Sequence, residues 1–159
     1  MIYILMGVSG SGKTTVGKAL ADKLMIPFFD ADDFHTSSNI IKMKSGLPLN
    51  DEDRMPWLNS IAENMLVWEQ TQGAVLACSA LKESYREVFI NAGIPITWIF
   101  LDGDYQLILE RLENRKSHFF NPVLLKSQCA TLEPPKYGLH INLDLTLKEQ
   151  LNLIIDHIK

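Results

Sequence analysis

The chain has only two cysteines in 159 residues, Cys78 and Cys129, and no CxxC pair. That excludes a disulfide framework and a cysteine-built zinc site, and it suits a reducing, cytoplasmic setting. No apolar run approaches the ~20 residues of a membrane span. The apolar start MIYILMGVSG lacks a basic leader and runs straight into a glycine loop, so it reads as a buried strand and not as a secretion signal. Positive charge is scarce as well: 15 Lys+Arg against 19 Asp+Glu leave a net charge of −4. A net acid is not built to coat nucleic acid or an anionic membrane, although local basic clusters can still hold phosphates. There is no internal repeat, low-complexity tract or long linker.

What is present is ordinary for a globular protein: 47% hydrophobic and 21% charged residues. A chain of this mass buries about two-thirds of its open-chain surface, enough for one core, so residues 1–159 read as a single domain. Short apolar runs alternate with amphipathic stretches. Strands are expected at 2–6, 27–30, 74–78, 96–101 and, more weakly, 140–143. Helices are expected at 13–24, 54–69, 81–92, 104–115 and from Leu147 onward. Trp57, Ile61, Met65 and Trp68 share one helical face, so both tryptophans read as core. Continuous apolar strands between helices predict an α/β fold with a parallel sheet covered on both faces. Two stretches fit this alternation badly, 34–53 and 116–137. Long irregular stretches in compact domains carry function, so one is expected to hold a substrate and the other to act as a lid.

Gly7-Val8-Ser9-Gly10-Ser11-Gly12-Lys13-Thr14 matches GxxxxGK[ST] in full, with Thr15 following. Its glycines let backbone N–H groups curl around phosphate oxygens, and the next helix aims its positive end at the same anion. Lys13 reaches the outer phosphates and Thr14 offers a hydroxyl to Mg²⁺. The loop lies between a predicted strand and a predicted helix, which is the context the motif requires. The guanine-reading NKxD pattern is absent and the chain is short for a motor, so a small-molecule kinase is the leading class.

Asp30-Ala31-Asp32 falls at the end of the second predicted strand, with Asp33 and His35 close behind. Ligands of open parallel sheets gather at the carboxyl ends of strands. At i and i+2, Asp30 and Asp32 would point the same way if the strand persisted. One carboxylate would then serve Mg²⁺ and the other would accept a proton from an attacking hydroxyl. The alternative is a polar strand end followed by an Asp helix cap.

GVSGSGKTT, DADDFH, NIIKMKSGLPLNDEDRMPWL, CSALKESYR and RKSHFFNPVLLKSQCATLEPP together resemble the gluconate kinases, small P-loop enzymes that make 6-phosphogluconate from gluconate and ATP. The resemblance spans residues 2–134. It implies a P-loop kinase fold with a five-stranded parallel sheet and a mobile lid over about 116–137, and a homodimer. It implies that residues 7–15 and Arg111 bind ATP, and that Thr14 and Asp30 serve Mg²⁺. Lys13, Asp32 and Arg115 become the catalytic candidates. Asp32, His35, Arg54, Lys82, Arg86, His118 and Gln128 become the substrate-binding ones. A guanidinium such as Arg54 or Arg86 can grip the gluconate carboxylate with two parallel bonds, and the hydroxyls want Asp, His and Gln partners.

Each assignment has a plainer rival. Arg54 can pair with Asp51 or Glu52 on the surface, Lys82 and Arg86 can form a solvated face with Glu83 and Glu87, and His118 can be a packed core histidine. Cys78 reads as a small buried residue. Residues 134–138 are expected to help enclose the adenine. A shikimate kinase-like enzyme and a non-catalytic nucleotide-binding regulator stand as alternatives.

Overall fold

The computed structural model of the protein describes residues 1–114 and 122–159. Five strands, β1 (Ile2–Met6), β2 (Phe28–Asp30), β3 (Ala74–Ala77), β4 (Ile96–Asp102) and β5 (Leu139–Asn142), form one sheet in the order β2-β3-β1-β4-β5. Every neighbouring pair is parallel. The central strand β1 is flanked by β3 and β4, so the chain first builds to one side of it and then crosses to the other. That switch point opens a crevice at the carboxyl ends of the strands.

Alternation along the strands explains why both faces are covered. Ile2, Ile4 and Met6 of β1 and Ala74 and Leu76 of β3 join one core with Trp57, Leu58, Ile61, Met65, Trp68 and Phe89. These belong to α3 (Asp51–Gln70) and α4 (Glu83–Ile90). Leu5, Val75, Ile99 and Ile141 face the other way and meet Val16, Leu20, Ile108, Leu112, Leu151 and Ile154. Those come from α1 (Lys13–Leu24), α5 (Tyr105–Glu113) and α7 (Leu147–Ile158). Both tryptophans of α3 are core, as expected: Trp57 Nε1 donates to the Ala31 carbonyl at 2.7 Å, and Trp68 stacks on Phe29 with centroids 4.0 Å apart.

The two stretches read as irregular each contain a helix, α2 (Ser37–Lys44) and α6 (Pro122–Thr131). Thr36 caps α2 by accepting from Asn39 N–H. In α6 only Leu125 is buried, so no apolar stripe marked it. The second strand also ends sooner than the i, i+2 reading needs. It stops at Asp30, and residues Ala31–Phe34 form a 3₁₀ turn. Asp30 and Asp32 therefore do not share a strand face.

Among the described residues no helix is long and apolar enough to cross a membrane.

Candidate active site

Gly7 to Gly12 link the carboxyl end of β1 to α1. Gly12 sits at φ 94° and caps α1 with no side-chain hydrogen bond, so no side chain of its own covers the first-turn N–H groups of that helix. Gly10, at φ 81°, lies so close to Leu112 of α5 that a Cβ would come within 2.5 Å of it. Lys13 Nζ donates to the carbonyls of Gly7 and Val8, both at 3.0 Å. Ser11 is buried and its hydroxyl has no partner among the described residues. Helix-end N–H groups, a lysine and an unpartnered hydroxyl make a cradle suited to phosphate.

Beside this loop is a cavity of about 300 Å³ lined by Gly10, Gly12, Thr15 and Arg111 together with Leu145, Leu147 and Gln150. Arg111 is fixed there by a hydrogen bond from Nη2 to the Leu143 carbonyl. Gln150 is buried and donates to the Leu145 carbonyl at 2.9 Å. The sequence reading missed Leu145, Leu147 and Gln150. The signal available was the capping box of α7, Thr146 and Glu149, which fixes that turn against the cavity. Residues 134–138 do not line the cavity. Glu133 N–H bonds Leu81 O, Tyr137 packs on Trp98, and a Cβ at Gly138 would come within 2.6 Å of Trp98 O. This segment is a strap down the α4 face of the sheet, away from the cavity beside the phosphate loop.

On the other side of the loop, Thr14 Oγ1 donates to Asp30 Oδ2 at 3.3 Å. Asp30 Oδ1 accepts from Asp32 N–H at 3.1 Å and so caps the 3₁₀ turn. Asp30 thus fills the capping role and faces the loop at once. Among the described residues no three His, Cys, Asp or Glu cluster as a metal cage. A hydroxyl and one carboxylate in contact, beside a phosphate cradle, fit Mg²⁺, which takes few protein ligands and draws the rest from phosphate and water.

Asp32 keeps 85% of its side chain open to solvent. Its pKa is pushed up, first by partial withdrawal from water in the concave cleft and then by the Asp30 charge. With so much of the carboxylate exposed, the push is modest. His35 is 9% exposed, stacks on Trp57 at 4.4 Å, and places Nε2 at 3.8 Å from Asp32 Oδ1. Burial pushes its pKa down, and its Nδ1 is buried without a partner among the described residues. It is a neutral imidazole at pH 7 with one ring nitrogen still to satisfy.

Arg54 lies in the first turns of α3. Asn50 and Asp53 cap that helix reciprocally, and Lys42 of α2 bonds Asp53 at 2.5 Å. Arg54 donates to the Leu49 carbonyl and lies over the Tyr85 ring at 5.7 Å. Its positive charge helps hold the His35 pKa down, so it faces the same cleft. It forms no ion pair with Asp51 or Glu52. Asp51 instead takes Lys82 Nζ on both oxygens at 3.0 Å and the Tyr85 hydroxyl at 2.5 Å. Lys82 lies near the same ring, 5.5 Å from its centroid.

Three substrate candidates make bonds within the protein. Lys82 is engaged by Asp51 and does not share a basic face with Arg86. Arg86 is fully buried. Its Nε donates to Glu83 and Tyr137, Nη1 to the carbonyls of Ala80 and Leu81, and Nη2 to Glu83 and the Glu133 carbonyl. With all five N–H donors committed, Arg86 ties the strap to α4 and has none left for a carboxylate. Gln128 accepts from Ser9 N–H at 2.7 Å, which places it on the phosphate loop. Cys78 is buried and its thiol is pushed up to about 12, in keeping with a core role. Arg115 and His118 lie outside the described residues.

Comparison with known proteins decides the family. The shikimate kinase family model matches residues 9–134. A probable gluconokinase of Dictyostelium discoideum is 51% identical over 142 residues, covering 85% of this chain and 71% of that protein. The chain belongs to the gluconokinase family. A solved gluconokinase from Sinorhizobium meliloti 1021 superposes with a TM-score of 0.86 at 34% identity, covering 99% of this chain and 94% of the other. A sugar kinase from Janibacter sp. HTCC2649 superposes with a TM-score of 0.89 at 38% identity, covering 97% and 91%. The P-loop kinase fold is thereby established, and as a kinase of the gluconokinase family the protein uses ATP. The shikimate kinase model covers residues 9–134, whereas the likenesses at 34% identity or more run to gluconokinases and a sugar kinase.

Proposed function

We propose that the protein transfers the γ-phosphoryl group of ATP to D-gluconate, giving 6-phospho-D-gluconate and ADP. The observation that carries this reading is the likeness to gluconokinases, 51% identity to one relative and a TM-score of 0.86 to a solved one, and the 3.3 Å contact of Thr14 with Asp30 joins the phosphate loop to the acidic end of β2. Residues 7–15 and Arg111 would bind ATP, with the base in the cavity formed by Arg111, Leu145, Leu147 and Gln150. Thr14 and Asp30 would hold Mg²⁺, which neutralises phosphate charge when bound.

On the acceptor side, Arg54 would take the gluconate carboxylate, and His35 Nδ1 would bond a sugar hydroxyl. The C6 hydroxyl oxygen attacks the γ-phosphorus as the bond to the β–γ bridging oxygen breaks. The hydroxyl proton goes to the Asp32 carboxylate, and the bridging oxygen leaves with ADP. Lys13 would balance the charge that spreads over the phosphoryl oxygens. Arg115 and His118 remain candidates for contact with the transferring phosphate and the sugar acid. A homodimer rests on the resemblance alone and a cytoplasmic, reducing location on the cysteine usage, and sedimentation tests the first.

The test is ADP release from ATP·Mg²⁺ with gluconate, shikimate, other aldonates and no acceptor. Release with gluconate, cut about 100-fold or more by Asp32→Asn, is expected. Release with shikimate in its place would favour the rival acceptor. Equal release with every acceptor would sink the acceptor assignment.

A further inference from the structure

Gln128 is the residue whose observed contact departs furthest from its expected role. It projects from α6, and its Oε1 accepts from Ser9 N–H at 2.7 Å, across 119 residues of chain. The peptide unit that carries this N–H also carries the Val8 carbonyl. That carbonyl accepts from Lys13 Nζ at 3.0 Å and from Ser11 N–H at 3.2 Å. A peptide unit is planar, so fixing its N–H fixes the direction of its C=O. Gln128 therefore holds one end of the plane on which the Lys13 ammonium rests.

The rest of α6 supports this placement. Leu125 is fully buried in the same core as Val8 and Leu112, and Leu112 packs under Gly10. Leu125 and Gln128 are one helical turn apart and so share a face of α6. One anchors the helix in the core beneath the loop, and the other reaches the loop backbone.

We infer that Gln128 is a positioning residue for the phosphate loop: from α6 it sets the plane of the Val8–Ser9 peptide, and through that peptide the place of Lys13. The inference rests on the reading of residues 7–15 as the ATP-phosphate site. It makes α6 an extension of the nucleotide half of the enzyme, where the sequence reading put Gln128 on the sugar acid. Glutamine suits the task because its carbonyl accepts from the loop without placing a negative charge beside phosphate. A glutamate at 128 would keep an acceptor oxygen and add that charge.

The decisive experiment is a separation of the two Michaelis constants in Gln128→Met, which keeps the side-chain length and loses the acceptor. The KM for ATP should rise about five- to tenfold, the worth of one hydrogen bond, while the KM for gluconate stays within about twofold. Direct titration with ADP in the absence of acceptor should show the same weakening. Gln128→Glu should also weaken ADP binding, through charge, while leaving the KM for gluconate near its original value. A rise in the gluconate KM alone would overturn the inference and return Gln128 to the acceptor. Equal rises in both constants, or no change in either, would overturn it too. Melting curves accompany each variant. Should Gln128→Met melt early, Gln128→Asn carries the same test, since it is polar but one methylene short of Ser9. Lys13→Ala serves as the control on the underlying reading: if it leaves ADP affinity intact, the phosphate-loop assignment fails, and the failure is not that of Gln128.

Discussion

On the nucleotide side of the cleft the phosphate-binding groups lie consecutively, residues 7–15, and what they offer is mostly backbone N–H between glycines. On the acceptor side the groups come from separate stretches, Asp32 and His35 after β2, Arg54 in α3 and Tyr85 in α4, and what they offer is side chains. A backbone cradle needs few side-chain braces, and here one long-range bond, from Ser9 N–H to Gln128, reaches it. Side-chain walls need bracing, and the bracing here spans the chain: Asp51 reaches 31 residues to Lys82 and 34 to Tyr85. The two halves should therefore fail in different ways when cut.

The largest effect is expected from Lys13→Ala. It removes the cation at the cradle without touching the core, so turnover should fall about 10³-fold with little change in melting temperature. A comparable loss of turnover accompanied by early melting would mean that Lys13 holds the loop together and does not act on the phosphoryl group. Next comes Arg86→Met, which should do the reverse. It leaves the carbonyls of Ala80 and Glu133 without the Arg86 donors, while Glu83 keeps the Tyr137 hydroxyl, and leaving such buried acceptors unmet costs about 2 kcal/mol. Urea unfolding should show that loss, with the KM for gluconate in the folded fraction unchanged. A raised gluconate KM at normal stability would restore Arg86 to the acceptor site.

These two residues also mark what could be read from the chain. The phosphate loop was legible because its chemistry is local: spacing alone fixes which N–H groups meet the anion. The sheet was legible because five apolar runs alternate with helical stripes. Arg86 was not legible, because whether an arginine is spent on carbonyls or left for a substrate depends on a strap some 50 residues away. α6 escaped because it buries one leucine and so carries no stripe. Asp30 and Asp32 were found as residues but misread in geometry, since Asp30 caps its own turn and ends the strand that would have aligned them.

A smaller effect tests the brace itself. The Tyr85 ring lies beneath Arg54 and beside Lys82, and its hydroxyl bonds Asp51. Tyr85→Leu removes the ring and should raise the KM for gluconate about tenfold, the order of a partly desolvated cation–π contact. Tyr85→Phe keeps the ring and should raise it about twofold. Equal effects of the two would show that the hydroxyl, through Asp51, matters and the ring does not. The KM for ATP should stay level in both, which sharpens the division of the cleft into two halves.

The smallest effect is a shift along the pH axis. Asp32 is held above its ordinary value, by partial withdrawal from water and then by the Asp30 charge. As the proton acceptor it works only when ionised, so kcat/KM should fall as pH drops through that raised value, sooner than an ordinary aspartate would dictate. The stability consequence has the opposite sign. A carboxylate with a raised folded pKa disfavours the fold at neutral pH, and that penalty is relieved as pH falls through the folded value. Asp51 is the counter-example within the same wall. Its bonds from Tyr85 and Lys82 hold it below the ordinary range, so the brace persists under mild acid and is lost only as pH falls through that depressed value. Acid should therefore silence Asp32 before it loosens Arg54. In a profile from pH 4 to 8, kcat/KM should decline while the brace is still intact. Asp30→Asn, which removes the larger of the two neighbouring charges that raise it, should move the decline to lower pH even as it slows the reaction through loss of the metal-side carboxylate. A decline that stays where it was in Asp30→Asn would mean that a different group, with His35 the first to examine, sets the acid limb.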